Sequence, residues 1–328
     1  MQLPNILGDL YLGIDVGGTN VKVGLVDDGG TMIAQGSAAT PVLKTPEKVF
    51  QFAVDFASQY CERFDIAGDR LKAVGLAVPG VLDTREFVLR EVVNLPGWLG
   101  QPLNQILSDV CQRPTTVTND ANAAAYAEHA ARNLGEQSLA LVTLGTGVGC
   151  GVVAGGRPHG GDHGCAGEIG HITINFDDDA LRCTCGSRGH LESYAGAAGV
   201  IKRLKKLLAS DKARSKEWTT LAIADSAEAG DAICIQVVDE TAVLVGRAIG
   251  MLGQGLDPAV VLLGGAMTFG GNATETGRRF LHHIRATVKA TTLVQVGGNM
   301  EIEYATLGND AGILGAAMVA KKLSRQPS

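Results

Sequence analysis

Sulfur and imidazole side chains are concentrated in one short part of this 328-residue chain. Residues 183–192 read CTCGSRGHLE, and a dozen residues before them the stretch GEIGH ends on His171. Cys183 and Cys185 are separated by one residue, which is not the C-x-x-C spacing of thioredoxin-like redox pairs. Histidines that flank a C-x-C pair are instead typical ligands of a closed, tetrahedral zinc site. The sequence therefore predicts a structural zinc site with two histidine and two cysteine ligands: His171, Cys183, Cys185 and His190.

Glycine turns follow three apolar runs, and glycine accounts for 44 of the 328 residues, nearly twice the typical share of roughly 7%. The runs are YLGIDVGGTNVKVGLVDDGG (11–30), SLALVTLGTGVGCGVVAGG (138–156) and AVVLLGGAM (259–267). The first two read as strand, tight glycine turn and strand. Neither matches the Walker A pattern, but glycines let backbone N–H groups approach phosphate oxygens. Thr19 adds a hydroxyl beside the first turn, and Asp15 could hold Mg²⁺ through water.

Two Asn-Asp-Ala sequences place an aspartate at the start of an alanine-rich, helix-compatible run, within residues 118–132 and 308–323. The helix dipole favours a carboxylate in the first helical turn. Phosphoryl transfer requires a carboxylate that accepts the hydroxyl proton as the oxygen attacks, so Asp120 and Asp310 are both candidate bases. Composition alone does not separate them. The shorter first copy favours Asp120, because it lies at the junction between the two copies, and leaves Asp310 as a helix N-cap.

The same order of elements occurs twice, which predicts an internal duplication. A glycine hairpin at 12–26 precedes the helix at 119, and a second hairpin at 141–154 precedes the helix at 309. Two α/β halves that face a cleft would account for this order. We expect an N-terminal α/β domain at 1–118 and a C-terminal α/β domain with a zinc-loop insertion at 119–308. The helix at about 309–328 is expected to pack back on the first domain.

Composition and charge exclude several classes of protein. Hydrophobic residues make up 45% of the chain and charged residues 19%, enough for a large core. A net charge of −6 and few aromatic residues argue against nucleic-acid binding. The N-terminus does not read as a signal peptide, and no apolar run has spanning length, so no membrane contact is expected. Seven cysteines, an odd number, indicate a reduced, cytoplasmic protein. Residues 201–216 predict a basic amphipathic helix with a solvated face.

Taken together, these motifs resemble the ROK family of sugar kinases and sugar-responsive repressors, within the actin-like ATPase superfamily, and most closely its bacterial glucokinases. The resemblance is carried by eight segments in family order: DVGGTNVKVG, VPG, NLPGW, TNDANAAA, LGTGVGCG, GEIGH, CTCGSRGHLE and LLGG. They extend over nearly the whole chain. The resemblance implies an actin-like (RNase H-like), duplicated, two-domain sugar kinase fold with an interdomain cleft.

The resemblance also implies a role for individual residues. The phosphate and Mg²⁺ side would be lined by Asp15, Gly17, Gly18 and Thr19. The second phosphate hairpin would be Gly145, Thr146 and Gly147, and Gly264 with Gly265 would flank the adenosine. Sugar hydroxyls would be bound by Asn119, Asp120, Glu168, His171 and Glu192, with the backbone at Gly80 closing the pocket. Asp120 would be the general base.

The sequence departs from the family pattern at one zinc ligand. Family members of this type use one histidine and three cysteines, the latter in C-x-C-G-x-x-G-C-x-E, whereas this chain has His190 in place of the third cysteine. Two histidines and two cysteines still form a good zinc site. We expect the metal to hold His171 and Glu192 in position on the sugar and to take no part in phosphoryl transfer.

The activity implied is transfer of phosphate from ATP to the 6-hydroxyl of glucose, with ATP, Mg²⁺ and structural Zn²⁺ as cofactors, in a homodimer or homotetramer. The alternatives are a kinase for another hexose or an N-acetylhexosamine, a non-catalytic sugar binder, and a sugar-responsive repressor. The repressors carry a helix-turn-helix module before the first glycine hairpin, and only about a dozen residues precede it in this chain. Whether polyphosphate replaces ATP is left open by the sequence.

Overall fold

The structure is a computed structural model that describes residue 6 and residues 8–92, 95–209 and 217–325. Its strands, in chain order, are β1 (Leu10–Val16), β2 (Asn20–Asp27), β3 (Met32–Ala39), β4 (Leu71–Val78), β5 (Val81–Asp83), β6 (Val88–Glu91), β7 (Thr115–Asn119), β8 (Leu139–Leu144), β9 (Val148–Ala154), β10 (Arg157–Pro158), β11 (Val260–Gly264) and β12 (Glu301–Tyr304). Its helices are α1 (Thr40–Leu43), α2 (Pro46–Arg63), α3 (Leu103–Cys111), α4 (Asp120–Ala131), α5 (Glu192–Ala195), α6 (Ala197–Leu207), α7 (Thr220–Glu228), α8 (Ala232–Leu256), α9 (Glu275–Thr291), α10 (Val294–Asn299) and α11 (Ala311–Ser324). Strands and helices alternate as expected for an α/β protein.

The two large sheets repeat one topology. The first has the strand order β3-β2-β1-β4-β7 and the second the order β10-β9-β8-β11-β12. In the first sheet β1, β2 and β3 pair antiparallel, while β4 pairs parallel with both β1 and β7. In the second sheet β11 pairs parallel with β8 and β12, and β10 pairs antiparallel with β9. This repeat agrees with the duplication predicted from the glycine hairpins.

The chain forms two compact units whose boundaries differ from the predicted ones. Residues 1–136, 151–166 and 307–328 form the first unit, and residues 137–150 and 167–306 form the second. The predicted division at 118 would have placed α4 in the second domain. In the structure α4 packs against α11 within the first unit, because α4 is rich in alanine and α11 in alanine and glycine, so that the two helices approach closely. Of the predicted helix at about 309–328, residues 326–328 lie outside the described residues.

The first sheet is covered on both faces, which explains why its central strands are almost continuously apolar. One face packs large side chains such as Phe50 of α2, Trp98 of the 3₁₀ turn that follows β6, and Leu107 of α3. The other face packs small residues, among them Ala73 and Ala317, against α11. Helix and sheet can therefore approach more closely on the second face.

Glycines on this second face are required by the close approach. A methyl group at Gly13 or Gly75 would overlap the backbone of α11, and one at Gly315 would overlap the carbonyl group of Ala123 in α4. These neighbours are backbone atoms, which cannot move aside as a side chain could. The glycines thus fix the distance between α11 and the elements on either side of it.

We expect Gly315→Ala to destabilise the protein by about 1–3 kcal/mol, as overpacking of a close-packed interior does. Gly255→Ala is the matched control, because Gly255 also lies in a helix but has open space where the methyl group would be. The control should be neutral or stabilising by up to about 1 kcal/mol, since alanine is the better helix former. Urea denaturation measures both. A Gly315→Ala protein as stable as the control would contradict this account of the packing.

The sequence predicts a basic helix at 201–216 and no helix that spans a membrane. The predicted basic helix at 201–216 corresponds to α6, which ends at Leu207, and residues 210–216 lie outside the described residues. Within the described ranges, no helix combines the length and the apolar character needed to cross a membrane.

Candidate functional site

The first glycine turn joins β1 to β2 and is held by a residue from outside the hairpin. Gly17 donates its N–H to the carbonyl oxygen of Asn20 at 2.9 Å. The Thr40 hydroxyl donates to the carbonyl oxygen of Gly17 at 2.6 Å, and the Thr40 N–H donates to that of Thr19 at 2.9 Å. Thr40 is buried, whereas Gly17 and Gly18 are partly accessible and Thr19 is exposed. The backbone of the turn is therefore partly accessible, and Thr40 holds it in place through two hydrogen bonds.

Asp15 lies at the end of β1, immediately before this turn. Its carboxylate is against Gly312 in the first turn of α11, where any side chain would collide with it. Burial raises the pKa of the Asp15 carboxyl group, and the positive charge of Lys22 opposes this shift. The Lys22 ammonium group donates to the carbonyl oxygen of Asn309 at 3.0 Å. A partly buried carboxylate beside a phosphate-type turn fits the water-mediated Mg²⁺ role predicted for Asp15.

Asn119 links β7, α4 and the turn at Gly80. Its side-chain oxygen accepts hydrogen bonds from the N–H groups of Ala121 at 2.9 Å and Asn122 at 3.1 Å, which caps α4. Its side-chain nitrogen donates to the carbonyl oxygen of Gly80 at 3.1 Å. Asp120 follows as the first residue of α4, and its Oδ1 accepts from the Ala121 N–H at 2.8 Å. The structure thus brings together three predicted sugar-site residues of the first unit.

Asp310, the second candidate base, lies at the N-cap position of α11, but its side chain forms no capping hydrogen bond. The backbone explains this difference from expectation, because Asp310 is in the helical region rather than the extended conformation that N-cap side chains use. Gly308–Asp310 form a short 3₁₀ turn that leads into the helix. Asp120 and Asp310 therefore differ in local geometry although their sequence contexts are alike.

The second glycine turn joins β8 to β9 and contacts Glu192. The Gly145 N–H donates to the carbonyl oxygen of Gly147 at 3.0 Å. Glu192 Oε2 accepts from the Val148 N–H at 3.1 Å, and a side chain at Gly147 would collide with this carboxylate. The Thr184 hydroxyl donates to Glu192 Oε1 at 3.4 Å. Glu192 thus joins the cysteine-containing loop to the glycine turn, and its contact with a sugar hydroxyl stays a prediction.

The third glycine pair lies beside the second turn. Gly264 ends β11, and Gly265 has a φ of 88°, the left-handed region that favours glycine. A methyl group at Gly265 would also overlap the carbonyl group of Leu144, the residue directly before the second glycine turn. Two predicted nucleotide-binding elements of the second unit are therefore adjacent.

The four predicted zinc ligands are brought together. One ligand atom from each of His171, Cys183, Cys185 and His190 lies within 4.8 Å of all the others. The two Nδ1 atoms of the histidines are 3.3 Å apart, Cys183 Sγ is 3.8 Å from His171 Nδ1, and Cys185 Sγ is 3.3 Å from His190 Nδ1. Such separations suit four ligands around a tetrahedral ion with bonds of about 2.0–2.3 Å. The hydrogen bond from the Ser187 backbone lowers the pKa of the Cys185 thiol, which favours the thiolate that binds metal.

His171 presents its other ring nitrogen away from this cluster. Nε2 is 3.9 Å from Glu168 Oε2, and both side chains are exposed to solvent. Ile169–His171 form a 3₁₀ turn, so Glu168 and His171 lie on the same side of the chain. A metal bound at Nδ1 would fix the orientation of the imidazole and leave Nε2 for a ligand.

Three residues that hold parts of the site in place through hydrogen bonds were not predicted from the sequence. Thr40 holds the first glycine turn, Thr184 contacts Glu192, and the Tyr194 hydroxyl accepts from the Leu181 N–H at 2.9 Å. The types of these residues carry no special chemical signal. Only their contacts in the folded chain identify them.

A duplicated mixed sheet with a glycine turn after the first strand of each half defines an actin-like α/β fold, as predicted. The ROK family profile matches residues 11–323, and the chain belongs to this family. It is 32% identical over 321 residues to a glucokinase from Halalkalibacterium halodurans, covering 95% of each chain. The ROK hexokinase from Thermus thermophilus superposes with a TM-score of 0.78 at 32% identity, covering 96% of this chain and 98% of that one. A ROK family glucokinase from Streptomyces griseus, crystallised with glucose and AMPPNP, superposes with a TM-score of 0.69 at 27% identity, covering 95% and 99%.

Proposed function

We propose that this protein transfers the γ-phosphoryl group of ATP to the 6-hydroxyl of glucose, releasing ADP and glucose 6-phosphate. The observation that carries the proposal is the bridge made by Asn119, which binds Gly80 and caps α4, so that Asp120 is held in the first helical turn. The likeness to a glucokinase along 95% of each chain and to a kinase structure with bound glucose and AMPPNP supports it.

Asp120 is proposed as the general base. Its carboxylate would accept the proton of the sugar hydroxyl as the O6–phosphorus bond forms and the bond from phosphorus to the β,γ-bridging oxygen of ATP breaks. Asn119 is proposed to donate to or accept from a neighbouring sugar hydroxyl. Little covalent chemistry is required of the protein beyond this proton transfer, because most of the catalysis of phosphoryl transfer is positioning and charge stabilisation.

The glycine turns are proposed to bind the phosphate groups. Backbone N–H groups at Gly17, Gly18 and Thr19, and those of Gly145–Gly147, would donate to phosphate oxygens. Gly264 and Gly265 are proposed to flank the adenosine, because a backbone without side chains can approach a ligand closely. Asp15 is proposed to hold Mg²⁺ through water. When bound, Mg²⁺ neutralises charge on the β- and γ-phosphates.

The cysteine-containing loop is proposed to hold a structural Zn²⁺ through two imidazole Nδ1 atoms and two thiolates, those of His171, His190, Cys183 and Cys185. The ion would have no open position for substrate or water, as in other structural zinc sites. Its proposed effect is to orient His171 Nε2 and the loop that reaches Glu192, while Glu168, His171 and Glu192 bind sugar hydroxyls.

We expect glucose to be the best substrate, ahead of N-acetylglucosamine and N-acetylmannosamine, with mannose and fructose poorer as well. Acceptors such as Glu168 and Glu192 suit free ring hydroxyls, and moving a single hydroxyl would leave unpaired an acceptor that the bound sugar covers. The measurement is kcat/KM for these five sugars at saturating MgATP, by coupled ADP release. A higher kcat/KM for either N-acetyl sugar would overturn the choice of glucose and leave the kinase proposal standing.

Polyphosphate in place of ATP, assayed with glucose, tests the choice of phosphoryl donor.

A sugar-responsive regulator is the alternative within the same family. Such a protein would bind glucose without releasing ADP. Calorimetric binding of glucose, measured beside the ADP assay on the same preparation, separates the two functions. Binding without turnover would favour the regulator, whereas sugar-dependent ADP release favours the kinase. Assembly as a homodimer or homotetramer and a cytoplasmic location remain proposals that follow from the family.

A further inference from the structure

A basic pocket lies in the first unit, at the end of α11 opposite to Asp15. It is lined by Tyr126 of α4, by Arg157 of β10 and by four residues of the last part of the chain: Met318, Lys321, Lys322 and Arg325. Its volume is about 470 Å³, within the range of about 300–1,000 Å³ of small-molecule sites. We call this group of six residues the basic pocket. None of its members is acidic, in a chain whose net charge is −6.

Two of the four cations of the basic pocket are neutralised by Asp28. The Arg325 guanidinium group is 2.6 Å from Asp28 Oδ1, and the Lys321 ammonium group is 3.7 Å from the same oxygen. The single negative charge of Asp28 is therefore shared by two positive charges. Lys321 also donates to the carbonyl oxygen of Asp28.

The other two cations, Arg157 and Lys322, form no ion pair with a carboxylate among the described residues. Lys322 donates to the carbonyl oxygen of Gly156 at 2.5 Å and lies 5.6 Å from the ring centroid of Tyr126. Partial burial and the charge of Arg157 both lower the pKa of Lys322. The fold therefore holds two like charges near one another, and the described residues supply no carboxylate that pairs with either of them.

The helix dipole explains only part of this arrangement. Cations in the last turn of a helix are favoured, which accounts for Lys321 and Lys322 at the end of α11. Arg157 comes from β10, which is not part of that helix, and its charge adds to the repulsion. An arrangement that repels itself in the free protein becomes favourable when an anion binds.

We propose that the basic pocket binds a small anion of the phosphate type that carries two or more negative charges. Guanidinium and ammonium groups form strong, charge-assisted hydrogen bonds with phosphate oxygens, and Arg157 and Lys322 are the two cations of the basic pocket that pair with no carboxylate in the described part of the chain. A volume of about 470 Å³ suits a small molecule, and the negative net charge of the chain disfavours nucleic acid.

The basic pocket is separate from the proposed catalytic residues but lies on the same two helices. Gly312, against which Asp15 packs, is in the first turn of α11, and Lys322 is about 15 Å further along at 1.5 Å per residue. Asp120 begins α4, and Tyr126 lies near the middle of that helix. The anion would therefore contact the last turns of α11, whose first turn adjoins Asp15, and the middle of α4, whose first turn contains Asp120.

The test is calorimetric titration of the wild-type protein and of the Arg157→Gln/Lys322→Gln double variant with inorganic pyrophosphate and with fructose 1,6-bisphosphate. Saturating AMPPNP in both samples occupies the nucleotide site, so any difference in affinity comes from the two substituted cations. We expect the double variant to bind at least about tenfold more weakly, because it lacks two charge-assisted hydrogen bonds. Tighter binding of pyrophosphate would indicate an inorganic anion, and tighter binding of fructose 1,6-bisphosphate would indicate an organic phosphate.

Lys205→Gln/Lys206→Gln is the matched control, since it removes the same charge from exposed positions of α6 in the second unit. It should keep wild-type affinity for both anions, and thermal melting should show all three proteins folded. Higher salt should weaken wild-type binding. No binding of either anion to the wild-type protein, or equal loss of affinity in the control variant, would overturn the proposal, and kinase activity does not enter the measurement.

Discussion

Asp120→Asn should lower kcat by roughly 10²–10⁴-fold while leaving glucose affinity within a few-fold of wild type. The amide keeps a hydrogen bond to the sugar, its oxygen can still accept from the Ala121 N–H, and the cap of α4 comes from Asn119, so binding and local structure should be retained. What the amide cannot do is accept the hydroxyl proton. Steady-state kinetics with MgATP, together with calorimetric binding of glucose, separates the two effects.

Asp310→Asn is the matched control for this experiment. The two aspartates follow an asparagine and precede an alanine in similar sequences, and Asp310 makes no capping hydrogen bond that the variant would lose. Its kcat should stay near that of the wild type. Near-normal turnover of Asp120→Asn, or an equal loss of kcat in Asp310→Asn with glucose binding intact, would contradict the assignment of Asp120 as the general base.

Cys183→Ser should lose both zinc and glucose affinity. The purified wild-type protein should contain close to one zinc per chain, and a hydroxyl in place of the buried thiolate removes a ligand from a four-ligand set. Because the proposed ion orients His171, its loss should raise the KM for glucose by about 10–100-fold, the usual effect of disturbing the support of a site residue. Elemental analysis of zinc and the glucose KM are the two measurements.

His190→Cys is the variant that tests the ligand set itself. It restores the three cysteines that the family pattern contains and should retain zinc at the wild-type stoichiometry, because a thiolate binds zinc as well as an imidazole does. Retention of zinc by this variant and loss by Cys183→Ser would together assign the ligands. A wild-type protein that is free of zinc and fully active would show that the cluster is not a metal site.

The parts of the site that the sequence predicts are those with strong local signals. Glycine pairs after apolar strands mark the turns at Gly17 and Gly145, because few other residues allow the backbone to approach a ligand so closely. Asn119 indicates the start of α4, because the oxygen of its side-chain amide accepts hydrogen bonds from backbone N–H groups no more than three residues later. In each case the signal and the structure it determines lie within a few residues of one another.

The parts that the sequence does not predict depend on contacts between distant segments. Thr40 supports the first glycine turn from another element, and nothing in its own neighbourhood indicates that role. The division between the two units differs from the predicted one because α4 packs on α11, at glycine and alanine positions that many helices share. Arg157 and Lys322 likewise meet only in the folded chain, so the basic pocket has no motif in the sequence.

The most direct test of the central proposal is to incubate the zinc-containing protein with glucose and MgATP and to identify the product by ³¹P NMR. The account predicts ADP release that requires glucose, and a phosphomonoester resonance coupled to the two protons on C6. A control with Asp120→Asn at the same protein concentration should form the same product far more slowly. No glucose-dependent ADP release from a preparation that binds glucose, or a phosphate on another hydroxyl, would contradict the proposed 6-kinase activity.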